Sequence, residues 1–163
     1  MKQIALKLSS ACYAVWTLTP LLSKNALKML YFSYAHSIIS YGIIVWGNSG
    51  NSIKIFRQQQ QKKKPLRIMT KSKKTESCRK LFKEMEILPF YSQYIFSFSM
   101  YVVTNKHLFT KNLEIYSHNT RNANLHVPAV NLTKYQKGAH YMGIKIFNYL
   151  PNYIHGLINE KQV

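Results

Sequence analysis

The sequence predicts a mainly α-helical protein of five to six helices with an irregular, loop-rich C-terminal arm. Apolar residues recur at three- and four-residue spacing from Ile4 to Val102, which is the period of a packed helix face. After Lys106 this period stops, and Asn and Thr become frequent, as is typical of loops. We therefore expect a helical domain over 1–106 and a C-terminal extension over 107–163, with an extended loop and a final short helix.

Two helices are predicted before residue 48. The first ends near Pro20, because proline disfavours a helical conformation in the residue before it. Its expected apolar face consists of Ile4, Leu8, Ala11, Cys12, Val15 and Trp16. Ser23 is a candidate N-cap for a second helix that runs to Gly47. The expected packed face of that helix consists of Leu27, Leu30, Tyr31, Tyr34, Ile38, Tyr41 and Val45.

Three more helices are predicted between a turn over 47–52 and Lys106. Ser52 can cap the third at Ile53, and Pro65 should kink or end it. Thr75 can cap a fourth over 76–87, with four inward residues: Cys78, Leu81, Phe82 and Met85. Pro89 fits the first turn of a fifth, whose expected buried face is Tyr94, Ile95, Phe98, Tyr101 and Val102. A last helix over 134–151 is weakened by Gly138 and Gly143.

The charge balance is the unusual feature of the composition. The 163 residues include 23 Lys and Arg but five Glu and no Asp, for a formal charge of +18. Hydrophobic residues make up 47% and aromatic residues 13%, which excludes a disordered basic tail. Two cysteines, Cys12 and Cys78, give no disulfide framework, and Lys7 interrupts any signal-peptide core. We expect an intracellular protein, nuclear or cytoplasmic, whose partner is a polyanion.

The segment 54–83 carries twelve Lys and Arg against one Glu. Without opposing charges, its self-repulsion is uncompensated unless a polyanion binds, so we interpret the segment as a nucleic-acid contact. The expected phosphate ligands are Arg57, Lys62, Lys63, Lys64, Arg67, Lys71, Lys73 and Lys74. Arg121 and Lys137 are secondary candidates, and Arg121 fits a turn-stabilising role equally well. The alternative is a basic helical interaction module whose charge only keeps it in solution.

Catalytic motifs are absent from the sequence. Two-metal nucleotidyl transfer needs converging carboxylates, yet Glu84 and Glu86 are two residues apart and so are expected on different helix faces. No GxxxxGK[ST] loop, GxSxG elbow or HExxH motif occurs, and His118 and His126, which flank a loop, are weak metal candidates. We expect no catalytic residue, no bound metal, no cofactor and no small-molecule substrate.

A membrane span over 29–47 is the second alternative. Thirteen of these nineteen residues are apolar, but polar side chains at Ser33, His36, Ser37 and Ser40 interrupt them. A second uncharged run, 87–105, is broken by Pro89 and Gln93. Two helices buried against each other explain both runs better, so the small membrane protein is the less favoured interpretation.

Six stretches, in order, resemble one protein family. They are KLSSACYAVW at 7–16, HSIISYGIIVWG at 36–47, QKKKPLRIMT at 61–70, ESCRKLFKEMEILP at 76–89, HNTRNANLHVP at 118–128 and GIKIFNYLP at 143–151. Each is weak alone, but together they resemble the region C-terminal to the catalytic palm of reverse transcriptases from jockey-type non-LTR retrotransposons. The chain departs from the family at Pro65, where the family keeps an unbroken helix, and at Gln59 and Gln60, where an apolar residue is expected.

The resemblance implies that residues 1–106 form a helical thumb-like domain that grips a template-primer duplex. The palm, which carries the Mg²⁺-binding aspartates of the parent RNA-directed DNA polymerase, would then be missing from this chain. Met1 would be an internal methionine of a 5′-truncated copy. The expected partners are the backbone of RNA or of an RNA/DNA duplex, and the palm domain itself. As a single chain, the protein is expected not to be an enzyme.

Overall fold

The computed structural model describes residues 2–48, 66–67, 69–73, 77–116 and 124–155. Within these ranges the chain is mainly α-helical, as predicted, and no strand forms beyond one isolated bridge. The chain divides into two compact units, residues 1–93 and 94–163. The predicted domain boundary between residues 106 and 107 stays a prediction, because compactness does not test which segments fold independently.

Helix α1 (Lys2–Leu18) ends just before Pro20, as predicted. Leu8, Ala11 and Val15 are buried in the core of the N-terminal unit. The prediction that Trp16 packs on the same face is wrong, because Trp16 is 55% exposed and lies against the ring of Tyr13. Consecutive helical residues point about 100° apart, so Val15 and Trp16 do not share the centre of one narrow face.

The second helical segment begins at the predicted N-cap, where the backbone N–H of Ala26 donates to the Ser23 hydroxyl at 3.4 Å. It runs through α2 (Lys24–Leu30), a π-helical segment (Tyr31–His36) and α3 (Ser37–Ser40). α1 packs against all three. The prediction of one unbroken helix to Gly47 is wrong, because Gly42 has a φ of 62° and separates α3 from the short α4 (Ile43–Trp46).

The buried face of this segment also differs from the prediction. Its buried residues lie four apart: Leu27, Tyr31, Ala35, Ile39 and Ile43. In a regular helix of 3.6 residues per turn, each four-residue step overshoots a full turn by about 40°. The π-helical segment has wider turns and keeps this row in phase. Tyr34, Tyr41 and Val45 were predicted to pack, but they are 41%, 84% and 74% exposed.

Several predictions fall on the 49–65, 68 and 74–76 gaps and lie outside the described residues. They are most of the turn, the Ser52 cap, the third helix up to Pro65, and the Thr75 cap. Residues 66–67 and 69–70 are helical, with Leu66 and Met69 buried. Helix α5 (Cys78–Glu84) follows Ser77, and its predicted inward residues Cys78 and Leu81 are buried, as is Met85 at its end.

Helix α6 (Phe90–Thr104) begins after Pro89, whose carbonyl accepts the N–H of Gln93 at 2.8 Å. This bond closes the first turn of the helix, so Pro89 stands at the N-cap, one residue before the N1 position that proline usually takes. The division between the two units falls within α6, after Gln93. Phe98 and Val102 are buried as predicted, whereas Ile95 is 43% exposed, contrary to prediction.

The C-terminal unit continues through short elements after α6. They are a 3-10 turn (Lys106–Leu108), α7 (Asn112–Ile115), an isolated bridge between Lys111 and Leu125, α8 (Thr133–Gln136) and α9 (Ala139–Asn148). The predicted single last helix is two helices, since Gly138 stands at the N-cap of α9. The core of this unit joins Val102, Phe109, Leu125 and Ile144. The extended loop predicted over 107–133 is correct for 124–132, which contain no helix, but wrong for the part that forms the 3-10 turn and α7.

One side chain fixes the irregular segment of the C-terminal unit. The amide of Asn148 accepts from the backbone N–H of Leu125 at 2.9 Å and donates to its carbonyl at 2.8 Å. These are the two hydrogen bonds that a neighbouring β-strand would otherwise supply. The buried Leu125 therefore stays in the core although no sheet surrounds it.

Candidate nucleic-acid interface

A groove of about 1040 Å³ lies in the N-terminal unit beside α5 and the connection to α6. Among the residues that the structure describes, three cationic side chains line it: Arg67, Arg79 and Lys83. Its remaining lining residues are Ser77, Cys78, Phe82, Glu86, Ile87, Leu88, Pro89 and Tyr91. The groove therefore combines positive charge with an apolar and aromatic floor.

Helix α5 places two of the cations side by side. Arg79 and Lys83 are four residues apart, so they lie one turn from each other on the same face, and both are exposed. The rotation of the helix is fixed by Leu81 and Met85, which are buried on the opposite face, and by Cys78, which is buried at the edge of the groove. The third cation, Arg67, belongs to the helical residues between buried Leu66 and Met69 and is half-buried.

The end of α5 is set by Glu86, which has a φ of 54°. The N–H of Ile87 donates to the carbonyl of Phe82 at 3.0 Å, and that of Glu86 to Lys83 at 3.2 Å. This pair of bonds is the Schellman termination, in which glycine usually takes the left-handed position. Glu86 holds that position here, and the reversal of the chain aims its side chain back toward α2.

Both glutamates at this end are paired with lysines of α2. Glu84 bonds Lys24, and Glu86 bonds Lys28. The hydrogen bond and the charge of each lysine lower the pKa of its carboxyl partner. The prediction that the two carboxylates face apart is wrong, because Glu86 lies beyond the helix end and reaches the same neighbour as Glu84. Glu86, the acidic residue among the described residues that line the groove, is thus already paired with a lysine.

Lys71 and Lys73, two further predicted contacts, are exposed and follow the helical residues 66–67 and 69–70. Lys71 has a φ of 52°, and the N–H of Ser72 donates to the carbonyl of Arg67 at 3.0 Å, so this helix also ends on a left-handed charged residue. Lys71 lines a smaller groove of about 400 Å³, with Lys24 among its neighbours. Neither Lys71 nor Lys73 lines the larger groove.

The other predicted contacts are not brought into the groove by the described part of the chain. Lys137 is exposed at the end of α8, in the C-terminal unit. Six predicted contacts lie outside the described residues: Arg57, Lys62, Lys63, Lys64, Lys74 and Arg121. Of the four predicted residues that the structure describes, Arg67 is found among those lining the larger groove.

Two cations of the groove were missed by reasoning from the sequence. Arg79 and Lys83 were counted in the basic segment but were not chosen as phosphate ligands. The signal was present, since they are four residues apart and lie out of phase with the apolar row of Cys78, Leu81 and Met85. The predicted ligands were taken from the densest run of lysines, so this pair was not among them.

The described ranges contain neither a metal-binding cluster nor a helix that could span a membrane. No group of three or more His, Cys, Asp or Glu side chains is placed to hold a metal ion there. Of the two weak metal candidates, His126 contacts the ring of Tyr116, and His118 lies outside those ranges. No described helix has both the length and the apolar character needed to cross a membrane.

Comparison with known protein families, with curated proteins and with solved structures finds no match to this chain.

Proposed function

We propose that this chain binds nucleic acid without sequence specificity, through the phosphate backbone. The observation that supports the proposal best is the convergence of Arg67, Arg79 and Lys83 on one groove whose acidic neighbour, Glu86, is paired with Lys28. Together the described cations make the groove strongly positive, which favours a polyanion over a protein surface of mixed charge. The formal charge of +18 adds a long-range attraction of the same sign.

The binding mechanism is counterion release. Each phosphate that a lysine or arginine neutralises frees a condensed cation from the nucleic acid, so affinity falls as salt rises. Contacts of this kind position a protein on the backbone and carry no sequence information. Arg79 and Lys83 are exposed on one helix face and meet this requirement without rearrangement of the core.

The proposal extends to the origin of the chain. We propose that it is a fragment from the C-terminal region of a non-LTR retrotransposon reverse transcriptase, on the strength of the sequence resemblance described above. The sequence contains no Asp, so it carries no x-Asp-Asp metal motif. Binding without polymerisation is the activity that we assign to it. Extension of a primer by the purified chain with Mg²⁺ and nucleotides would contradict this assignment.

The test of binding is a salt titration with a duplex of 20 base pairs. For the intact chain, the logarithm of the association constant should fall linearly with the logarithm of the salt concentration, with a slope of about −0.9 per phosphate contact. In the double variant Arg79→Gln/Lys83→Gln, two contacts are lost. We expect a slope shallower by about 1.8 and weaker binding at low salt.

The matched control is Lys7→Gln/Lys145→Gln. These lysines are exposed on helices α1 and α9 and are not among the residues that line the groove. The control removes the same net charge, so it should keep most of the slope. Equal slopes for both double variants would locate the binding elsewhere, and a flat response of the intact chain would favour the interaction module that needs no nucleic acid.

A further inference from the structure

The floor of the groove is apolar and aromatic. Besides the cations, Phe82, Ile87, Leu88, Pro89 and Tyr91 line it. Tyr91 is 60% exposed and Leu88 is 42% exposed. An apolar and aromatic surface does not contribute to the binding of phosphate groups, which bind to charges and to hydrogen-bond donors. The surface therefore indicates a ligand that also has apolar or aromatic parts.

Helix α5 carries an aromatic ring between its two cations. Arg79, Phe82 and Lys83 occupy positions i, i+3 and i+4, which share one helix face. Tyr91 presents a second ring from the first turn of α6. A ligand lying in the groove therefore meets positive charge and aromatic faces over the same short distance.

Single-stranded nucleic acid has the complementary chemistry. Its unpaired bases offer flat faces that stack on aromatic side chains, while its phosphates pair with lysine and arginine. In a duplex the base faces are stacked on each other, and the exterior shows mainly phosphate and sugar. The volume of about 1040 Å³ is at the upper end of the range for pockets that hold small organic ligands, so it suits a few bases rather than a double helix.

We infer that this groove binds an unpaired stretch of nucleic acid, with a base stacked on Tyr91 and adjoining phosphates held by Arg79 and Lys83. The inference rests on the proposed function and specifies its ligand. The occupant is single-stranded RNA or DNA, because stacking on an aromatic face tolerates any base. A duplex binds to the same cations only through its backbone and more weakly.

The test compares three ligands of equal phosphate number, every strand carrying a 5′-phosphate: single-stranded dT20, the same strand with every base removed, and a duplex with ten base pairs. We expect the intact chain to bind dT20 about tenfold more tightly than either of the others, because only dT20 offers base faces. The salt slopes for dT20 and for the abasic strand should be alike, since the phosphates are the same. Equal affinity for all three ligands would overturn the inference.

Variants at the exposed ring assign the effect to the groove. Tyr91→Leu should weaken binding of dT20 about tenfold and leave binding of the abasic strand unchanged. Tyr91→Phe keeps the aromatic face and should bind like the intact chain. Tyr13→Leu is the control, because Tyr13 is 63% exposed in the same unit and is not among the residues that line the groove. Circular dichroism of each variant confirms that it is folded.

The outcomes separate the two proposals. If all three ligands bind with a salt-dependent affinity but Tyr91→Leu has no effect on dT20, the inference fails and the proposed function stands. If no ligand binds at low salt, the proposed function fails, and the inference fails with it.

Discussion

Gly143 is the residue at which local preference and packing conflict most clearly. It lies inside α9, where glycine is less favourable than alanine by about 1 kcal/mol. A Cβ atom at this position would be 3.2 Å from Cγ2 of Val102 and 3.6 Å from ring carbons of Phe98 and Tyr101. The glycine thus lets α9 approach closely the part of α6 that belongs to its own unit. From the sequence it was expected to weaken the helix, because its packing partners are distant along the chain.

Replacing Gly143 by Ala should therefore destabilise the protein, although alanine is the better helix former. Overpacking a core costs about 1–3 kcal/mol, which exceeds the gain in helix propensity of about 1 kcal/mol. We expect a net loss of about 1 kcal/mol in the free energy of unfolding, measured by urea denaturation monitored by circular dichroism.

A second substitution tests the cause. In a Val102→Ala background, the methyl group that lies 3.2 Å from the added Cβ is gone, so Gly143→Ala should become neutral or stabilising. Such a change of sign is expected when two residues are in direct contact. If Gly143→Ala costs the same in both backgrounds, contact with Val102 is not the reason for this glycine.

At the scale of elements, the sequence predicted where helices begin and end better than which of their faces are buried. Ser23 and Pro20 act through local backbone chemistry, and both predictions are confirmed. The π-helical segment Tyr31–His36 has no such local signal. It changes the phase of the helix, so that Tyr41 and Val45 are exposed while Ala35 and Ile43 are buried. Which residues of this segment face the core depends on its packing against α1. The spacing of apolar residues within the segment alone does not contain that information.

The candidate site, too, could be predicted from the sequence only in part. The basic character of 54–83 was evident in the sequence, but the groove depends on the Schellman end of α5 and on the left-handed φ of Glu86. Glutamate is not a residue from which such an end is expected, because glycine usually takes that position. The pairing of Glu84 and Glu86 with α2 could therefore not be predicted from their spacing.

These two ion pairs give α2 and α5 an acid-sensitive connection. The lysines lower the pKa of both carboxyls below the ordinary value of 4.5 in the folded chain. The unfolded chain keeps the ordinary value and so binds more protons in that range. The contribution of the pairs to stability is therefore fully present above about pH 4.5 and is lost as the pH falls through the lowered pKa values.

The double variant Lys24→Gln/Lys28→Gln should lose most of this acid sensitivity. Its urea midpoint should fall less than that of the intact chain between pH 6 and pH 3. The difference should shrink in 0.5 M NaCl, because exposed charges are screened by salt. Lys7→Gln/Lys145→Gln is the control for net charge and should keep the pH dependence of the intact chain. Identical pH profiles for all three proteins would show that the pairs do not contribute.

At the scale of the whole molecule, the formal charge of +18 opposes folding. A net charge this far from zero destabilises a compact state by self-repulsion. The repulsion acts over about 30 Å at 0.01 M salt but over about 8 Å at 0.15 M. Stability at low salt should therefore be limited by charge as well as by packing.

We expect the melting temperature to rise by several degrees when NaCl increases from 0.01 M to 0.15 M, measured by differential scanning calorimetry. The result follows from screening alone, so it holds both for a nucleic-acid-binding chain and for a module whose charge only keeps it in solution. A melting temperature that falls over this range would mean that attractive ion pairs outweigh the self-repulsion.

Single-stranded dT20 separates the two interpretations under the same conditions. A ligand that binds only the folded chain raises stability in proportion to the logarithm of its concentration. At 0.01 M salt, dT20 should raise the melting temperature of the intact chain further with each tenfold increase in its concentration, and it should raise that of Arg79→Gln/Lys83→Gln less. A module without a nucleic-acid role would respond to dT20 as to any dilute electrolyte, and the two proteins would then show the same small shift.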